Sequence, residues 1–277
     1  MRRLPRYLLF GAVAVYLLLP MLAVVLYSLA TSWTARPFPD GYTLAAWRDG
    51  LGDGRLVGAV LRTVGLAAAV LALDAVLVVP AVYWQRVRNP RIRPVTEVAA
   101  AIPFALPFLV IAFGILRLAG EVAPALLGTP WLLLFGHAAI AFPFLYWAVD
   151  GAMAAASVPR LNEAAQTCGA SPLQTLRHVV LPNIGPGLAT GGMLVFATSF
   201  GEFALAQILV GARFETVSLY SLDLLALANA DFGKLAVLTV ITFVVLFAIS
   251  VAVVHLNRGQ ASQFLPGARA VAGERAR

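Results

Sequence analysis

Six apolar runs, each long enough to cross a lipid bilayer as a helix, constrain this chain more than any other feature. A membrane-spanning helix needs about 20 mostly apolar residues. The runs cover Leu8–Ala30, Leu56–Val82, Val98–Leu118, Trp131–Val149, Leu188–Val210 and Leu235–Leu256. The sequence therefore predicts an all-α membrane protein with six transmembrane helices.

The composition agrees with a membrane location and excludes several other classes. Hydrophobic residues make up 61% of the chain and charged residues only 12%, about half the charged fraction of soluble domains. The net charge of +7 does not indicate nucleic-acid binding, because the arginines lie between apolar runs and not on a polar domain. A single cysteine, Cys168, excludes a disulfide framework and a cysteine-rich metal site.

Prolines lie inside several of the apolar runs. Neighbouring helices in a membrane can satisfy the backbone groups that a proline frees, so we expect kinks and not breaks at Pro20, Pro103, Pro107 and Pro143. The first run follows a basic leader but is longer than the 7–15 residues or so of a signal-peptide core. We therefore expect it to remain as a transmembrane helix.

The distribution of Lys and Arg predicts the orientation. Thirteen of the 20 basic residues lie in the N-terminal leader, the 83–97 loop, the 150–187 loop and the tail. Basic residues are enriched in cytoplasmic loops. Both termini and the 150–187 loop are therefore predicted to lie in the cytoplasm, and the 31–55 loop outside, in a multi-pass membrane protein.

The 157–182 segment has the residue pattern of two short helices joined by a tight turn. Ser157 is placed to cap the first helix, and Gly169 stands where a left-handed C-cap would end it. Ser171 is placed to cap a second helix that begins at Pro172, and Pro182 is expected to end it. The sequence thus predicts a helix–turn–helix with a surface of small residues.

The same segment resembles the signature loop of type I ABC-transporter permeases. That family's pattern is Glu-Ala-Ala, three residues, Gly, nine residues and Ile-x-Leu-Pro. The chain has Glu163-Ala164-Ala165, Gly169 and Val179-Val180-Leu181-Pro182 at those positions. Only the isoleucine differs, since Val179 replaces it.

The resemblance implies a fold, partners and a site. In this family the loop docks into a groove on a cytoplasmic ABC ATPase dimer, and its motion rocks the transmembrane helices between inward-facing and outward-facing states. It also implies a second permease subunit, identical or homologous, and an extracytoplasmic substrate-binding protein. The predicted ATPase-coupling residues are Glu163, Ala164, Ala165, Gly169, Leu181 and Pro182. The chain has no Gly-rich phosphate loop, so we expect ATP to be bound by a partner and no cofactor by this chain.

Three regions follow from the spans and the motif. Residues 1–55 would form an N-terminal transmembrane helix and an external loop, and residues 56–257 the permease domain with its coupling loop at 157–182. Residues 258–277 are rich in Ala, Gly and Arg and are predicted to be a disordered cytoplasmic tail.

Polar residues inside the apolar runs are candidates for the translocation pathway. Ionisable groups in a membrane span are costly and are often functional. We assign Glu202, Asp74 and Ser199 to the pathway, with the alternative that Glu202 pairs with His137 or Arg117 and fixes the bundle. The Ser-Phe-Gly-Glu-Phe stretch at 199–203 resembles the polyamine, iron and phosphonate branch of these permeases, the spermidine/putrescine subunits most. The predicted cargo is a small charged solute, preferably a polyamine.

Two other classes remain as alternatives. An ion-coupled secondary transporter should show inverted halves with interrupted helices at equivalent positions, and no such symmetry is visible. A membrane enzyme needs a metal or nucleophile constellation, but the three histidines lie in different segments without ligand spacing. ATP dependence of uptake distinguishes the predicted importer from the secondary transporter.

Overall fold

The computed structural model describes residues 4–33, 37–226 and 230–261, and its regular elements are helices. Within these ranges, β pairing is limited to a single bridge between Ala30 and Tyr42. The helices are α1 (Leu4–Ser28), α2 (Ala45–Gly52), α3 (Gly54–Val87), α4 (Arg93–Ala105), α5 (Phe108–Val122), α6 (Pro130–Ala155), α7 (Val158–Thr167), α8 (Pro172–Thr175), α9 (Leu181–Gly201), α10 (Ala204–Leu209), α11 (Val217–Leu225) and α12 (Phe232–Ala261).

Five described helical stretches are long and apolar enough to cross a membrane. They are α1, α3, α6, the continuous α8–α9 stretch and α12. A sixth span exists if α4 and α5 are counted together, although they meet at an angle of 107°. The predicted all-α membrane fold is confirmed, with five spans, or six if the bent α4–α5 pair is one span.

The third predicted span, Val98–Leu118, is wrong as a continuous helix. The chain is extended at Leu106 (φ −117°, ψ 138°), and a new helix starts after Pro107. Proline lacks an N–H and disfavours a helical conformation in the residue before it, so Leu106 leaves the helix. Pro103 lies inside α4, as Pro20 lies inside α1 and Pro143 inside α6, and none of them ends its helix.

The fifth predicted span, Leu188–Val210, is also interrupted. Helix α9 ends at Gly201, Glu202 is extended (φ −72°, ψ 131°), and the short helix α10 follows. The Glu202 side chain accepts hydrogen bonds from the first N–H groups of α10, which offsets the hydrogen bonds lost at the break.

The chain divides into two compact units. Unit 1 contains residues 1–62 and 215–246, and unit 2 contains residues 63–214 and 247–277. In unit 2, α6 and α9 pack closely because Gly187 and Gly191 face Ala148 and Ala152, leaving no room for a side chain at either glycine.

The domain boundaries predicted after residues 55 and 257 stay predictions. Helix α12 extends to Ala261, and the rest of the predicted disordered tail lies outside the described residues.

Candidate coupling segment and interior carboxylates

The glycine at the end of α7 adopts the predicted left-handed conformation. Gly169 has φ +82°. Its N–H donates to the carbonyl of Gln166 at 2.9 Å, and the N–H of Ala170 donates to the carbonyl of Ala165 at 3.0 Å. This pair of hydrogen bonds satisfies carbonyls that the end of a helix leaves without partners. The predicted C-cap is therefore confirmed.

The start of α7 differs from the prediction. Ser157 itself is left-handed (φ 51°), and its side chain makes no capping hydrogen bond. Its backbone carbonyl accepts instead from the N–H groups of Arg160 at 3.0 Å and Leu161 at 3.3 Å. Only two residues, Ala156 and Ser157, separate α6 from α7. Ser157 reverses the chain in a left-handed conformation, whereas a side-chain cap needs an extended one.

The second helix begins as predicted. The Ser171 hydroxyl accepts from the Gln174 N–H at 3.3 Å, and the Ser171 N–H donates to Gln174 Oε1 at 2.8 Å. These reciprocal bonds form a capping box, with Pro172 in the first turn, where its missing N–H has no consequence.

The predicted end of that helix at Pro182 is wrong. After α8 the chain makes a π turn over Leu176–Val180 and continues directly into α9. The wider turn lies just before Pro182, where the proline ring would crowd the carbonyl of a regular preceding turn. The predicted pair of short helices is therefore one short helix, α7, followed by the start of a long one.

The turn between α7 and α8 presents most of the predicted coupling residues to the surface. Glu163, Ala164 and Gly169 are exposed and Ala165 is half-buried. Leu173, which the sequence analysis did not single out, is 73% exposed at the same turn. Leu181 (half-buried) and Pro182 (exposed) lie farther along, in the first turn of α9.

A buried hydrogen bond ties α7 to the long helix α3. The Tyr83 hydroxyl donates to Asn162 Oδ1 at 2.7 Å. The two residues are only 8% and 4% exposed. They are far apart in sequence and neither belongs to a motif, so no sequence signal pointed to this contact.

An ion-pair cluster joins α3, α4 and α6 in unit 2. Asp150 Oδ1 accepts from Arg86 Nε at 2.7 Å, and its Oδ2 lies 3.4 Å from an Arg93 guanidinium nitrogen. The carboxylate side chain is 9% exposed and that of Arg86 is 15% exposed. These groups fix the end of α6 that leads directly into α7.

Glu202 has both carboxylate oxygens engaged. Oε1 accepts from the N–H of Ala204 at 2.8 Å, and Oε2 accepts from the N–H groups of Leu205 at 2.8 Å and Ala206 at 3.3 Å. The residue is 7% exposed. A carboxylate in this position satisfies the unpaired N–H groups that begin α10 and interacts favourably with the helix dipole.

The structure brings two more polar residues to Glu202. His137 Nδ1 lies 2.9 Å from the Ser199 hydroxyl, and His137 Nε2 lies 3.5 Å from Glu202 Oε2. His137 and Ser199 are 1% and 2% exposed. Of the two alternative partners of Glu202, His137 is in contact with it, whereas Arg117 pairs with Glu121 at 3.3 Å. The pathway role of Glu202 and Ser199 stays a prediction.

Asp74 lies on α3 in a different environment. It is 2% exposed, and within the described parts of the chain its Oδ2 atom has no hydrogen-bond partner. It lines a cavity of about 430 Å³ whose walls come from α3, α4 and α6, and neither Glu202 nor Ser199 is part of that lining. The predicted pathway residues therefore occupy two separate sites.

A family model described as "Binding-protein-dependent transport system inner membrane component" matches residues 77–261, well over half of the chain. This chain belongs to that family of ABC-transporter permeases. The match contains the 157–182 segment and Glu202, whereas Asp74 precedes it by three residues. Such permeases are transport components of multi-pass membrane complexes and not enzymes, which confirms the prediction of a non-enzymatic importer subunit.

Curated relatives of the permease include transporters for different solutes. It is 27% identical over 212 residues to the protein of Salmonella typhimurium described as 2-aminoethylphosphonate transport permease PhnV, covering 75% of this chain and 78% of the relative. It is 29% identical over 120 residues to the Escherichia coli spermidine/putrescine permease PotC, covering 43% and 45%. The match to the Sinorhizobium fredii ABC permease y4fN, at 26% identity, covers 86% of this chain but only 42% of that longer relative.

Solved structures share the fold of the permease at low identity. A bacterial ABC transporter involved in import of the acidic polysaccharide alginate matches with a TM-score of 0.66 at 17% identity, covering 95% of both chains. The inward-facing MetNI methionine transporter matches with a TM-score of 0.59 at 19% identity, covering 74% of this chain and 95% of that one. These likenesses establish the architecture and leave the solute open.

Unit 1 of the permease contains a second charged cluster. Arg55 pairs with Glu215 at 2.6 Å and with Asp223 at 2.8 Å, while Asp53 accepts from the Tyr220 hydroxyl at 2.8 Å and from Lys234 at 3.3 Å. Partial burial raises the pKa of Asp53, but the hydrogen bonds from Tyr220, Arg55 and Lys234 outweigh it and hold that pKa below its ordinary value. Burial and the bond to Asp53 raise the pKa of Tyr220. The cluster fastens α3 to α11 and α12 within this unit.

Proposed function

We propose that this permease forms one half of the transmembrane translocation pathway of an importer. The importer would carry a small solute with an ammonium group across the bacterial cytoplasmic membrane by alternating access. A second permease subunit, identical or homologous, would supply the other half. A cytoplasmic ATPase dimer would supply the energy, and an extracytoplasmic binding protein would deliver the solute. The chain itself would bind no cofactor.

The observation that supports this mechanism is the exposed turn between α7 and α8 together with its rigid attachment. Glu163, Gly169 and Leu173 offer a polar, a small and an apolar contact on one surface. The buried Tyr83–Asn162 hydrogen bond fastens α7 to a membrane-spanning helix. A displacement of α7 by the ATPase would therefore be passed to α3, as expected of an element that switches a bundle between two states.

The interior carboxylates and the relatives together support an amine as the solute. Spermidine, putrescine and 2-aminoethylphosphonate, which two of the relatives are named for, all contain a primary ammonium group. Asp74 and Glu202 place acidic side chains inside unit 2, but backbone N–H groups already engage Glu202, whereas no described residue donates to Asp74 Oδ2. A polyamine-like solute is favoured, with phosphonate, iron or another small ion as the other candidates.

The native Cys168 offers a test of both orientation and docking. It is exposed at the turn between α7 and α8 and is the chain's only cysteine. A membrane-impermeant maleimide should label it from the cytoplasmic side of oriented vesicles, and bound ATPase should protect it. Labelling from the external side would overturn the proposed orientation, in which both termini are cytoplasmic.

Substitutions at Gly169 test the coupling surface without reference to the solute. A Cβ at Gly169 would meet no atom of this chain within 4 Å, so any clash must come from a partner. Asn tolerates the left-handed conformation far better than Val does. We expect Gly169→Asn to leave folding intact yet abolish ATPase co-purification, and Gly169→Val to lose ATPase binding and also some helix stability.

Gly211 provides the matched control. It is also left-handed (φ +52°) with open space around it, but it lies outside the 157–182 segment. Gly211→Asn should retain the ATPase. If Gly169→Asn also retains it, α7 is not the docking element. If vesicles carry out uptake without ATP, driven by an ion gradient, the secondary-transporter alternative is correct.

A further inference from the structure

The cavity beside Asp74 is mainly hydrocarbon in character. Its volume is about 430 Å³, a size suited to a small organic molecule. Ten of its fourteen lining residues are aliphatic or phenylalanine side chains.

A polar cluster closes the far end of the cavity. The Thr96 hydroxyl donates to Gln85 Oε1 at 2.6 Å and lies 2.9 Å from the Tyr146 hydroxyl, while Gln85 Nε2 donates to Tyr146 at 3.3 Å. These three residues satisfy one another. Gln85 follows Asp74 by eleven positions on α3, which corresponds to about 16 Å along the helix axis.

Asp74 differs from that cluster because one of its oxygens is unused. Its side chain is almost fully buried, and no described residue donates to Oδ2. A carboxylate held among apolar side chains without a donor is unfavourable, and a cation with N–H donors would offset the cost. The cavity therefore offers one strong acceptor at one end, a hydrocarbon wall and a neutral polar end.

We propose that this cavity is an intramembrane binding site for a primary alkylammonium group, with Asp74 as its counter-ion and the apolar walls around the alkyl chain. The inference rests on the proposed function in that the solute contains an ammonium group. A divalent metal ion does not fit, because Ca²⁺ and Mg²⁺ need six or more ligands and Zn²⁺ needs four, while the lining offers one carboxylate and no His or Cys. The described residues contain no group of three metal-ligating side chains. An anion does not fit beside a carboxylate.

Direct binding to the assembled transporter tests the proposal. The full complex without binding protein is placed in phosphatidylcholine nanodiscs, so that the added probe is the only small primary amine present. The probe is radiolabelled 1,4-diaminobutane. We expect saturable binding that weakens at least tenfold in Asp74→Asn, which keeps the side-chain shape and removes the charge. The matched control is Glu97→Gln on α4, an exposed carboxylate paired with Arg93, and it should bind within twofold of the wild type.

Two further arms exclude other occupants. Excess 1,4-butanediol, which has the same chain without charge, should not displace the probe. Phosphatidylethanolamine in the nanodisc should not displace it either. If Asp74→Asn binds like the wild type, if the diol competes equally, or if the lipid headgroup displaces the probe, the proposed site is wrong.

The uptake assay separates this inference from the proposed function. If the complete wild-type importer with ATP takes up no amine, the proposed solute class fails whatever the cavity binds. If the wild type takes up an amine and Asp74→Asn does so at the same rate and half-saturating concentration, only the Asp74 site fails.

Discussion

Two carboxylates inside unit 2 have opposite surroundings. Glu202 interrupts a helix and accepts three backbone N–H groups, with His137 beside it. Asp74 stands within the continuous helix α3, and no described residue donates a hydrogen bond to its Oδ2. Both are buried, at 7% and 2% exposure.

The comparison shows that a charge in an apolar segment does not by itself identify a solute site. The free-energy cost of a carboxylate inside the membrane can be offset by backbone N–H groups, as at Glu202, or by a bound cation, as we propose at Asp74. The two cases should separate experimentally. Loss of the charge should destabilise the fold in the first case and impair transport alone in the second.

The largest effect is expected from Glu202→Leu. This change leaves the N–H groups of Ala204 and Leu205 without acceptors in a buried site. Hydrogen bonds to a charged group contribute about 1.5–3 kcal/mol each, so the folded state should lose about 3 kcal/mol. The measurement is the thermal unfolding of the purified complex, followed by size-exclusion chromatography after heating.

Glu202→Gln serves as the graded control for that prediction. The glutamine amide oxygen can still accept a hydrogen bond from a backbone N–H. The variant should therefore lose less unfolding free energy, about 1 kcal/mol. If both variants unfold like the wild type but fail in uptake, Glu202 acts in the pathway and the contrast with Asp74 disappears.

The second effect is a loss of transport without a loss of stability. Asp74→Leu removes a buried carboxylate whose Oδ2 has no donor among the described residues, and it leaves the apolar cavity wall intact. The unfolding temperature should stay equal to that of the wild type or rise, while uptake of a confirmed amine falls at least tenfold. A lower unfolding temperature for both Asp74→Leu and Asp74→Asn would show that Asp74 supports the fold in the way that Glu202 does.

This contrast also marks the limit of prediction from the sequence. Runs of about 20 apolar residues predicted the spans, and the spacing of Gly169 and Ser171 predicted the turn and its caps. These features depend on neighbours within a few residues. The break at Leu106 follows from the adjacent Pro107, and Glu202 accepts from N–H groups only two to four residues away, so both breaks are local features that the span prediction missed. The contact of Glu202 with His137, the His137–Ser199 hydrogen bond and the Tyr83–Asn162 bond depend instead on residues brought together only by packing. Composition and spacing contain no information about them.

A moderate effect is expected at Ser199, which anchors the other side of His137. Ser199→Ala removes the hydroxyl that lies 2.9 Å from His137 Nδ1. A single buried hydrogen bond contributes about 1 kcal/mol. Combined with Glu202→Gln in a double-mutant cycle, the two losses should not add, because both residues contact the same imidazole. Strict additivity would mean that His137 does not link them.

The smallest effect is expected at an exposed carboxylate, which sets the baseline for both interior ones. Glu97 pairs with Arg93 one turn away on α4 at 2.9 Å, but their side chains are 46% and 51% exposed. Exposed pairs at this spacing contribute only about 0.3–0.5 kcal/mol, and salt screens them. Glu97→Gln should therefore leave uptake unchanged, and its slight destabilisation should vanish in high salt.

The Glu202 variants should stay destabilised in high salt, because buried hydrogen bonds are little screened. If Glu97→Gln impaired uptake as strongly as Asp74→Asn does, the transport loss at Asp74 would reflect the loss of any negative charge and not the loss of an ammonium site.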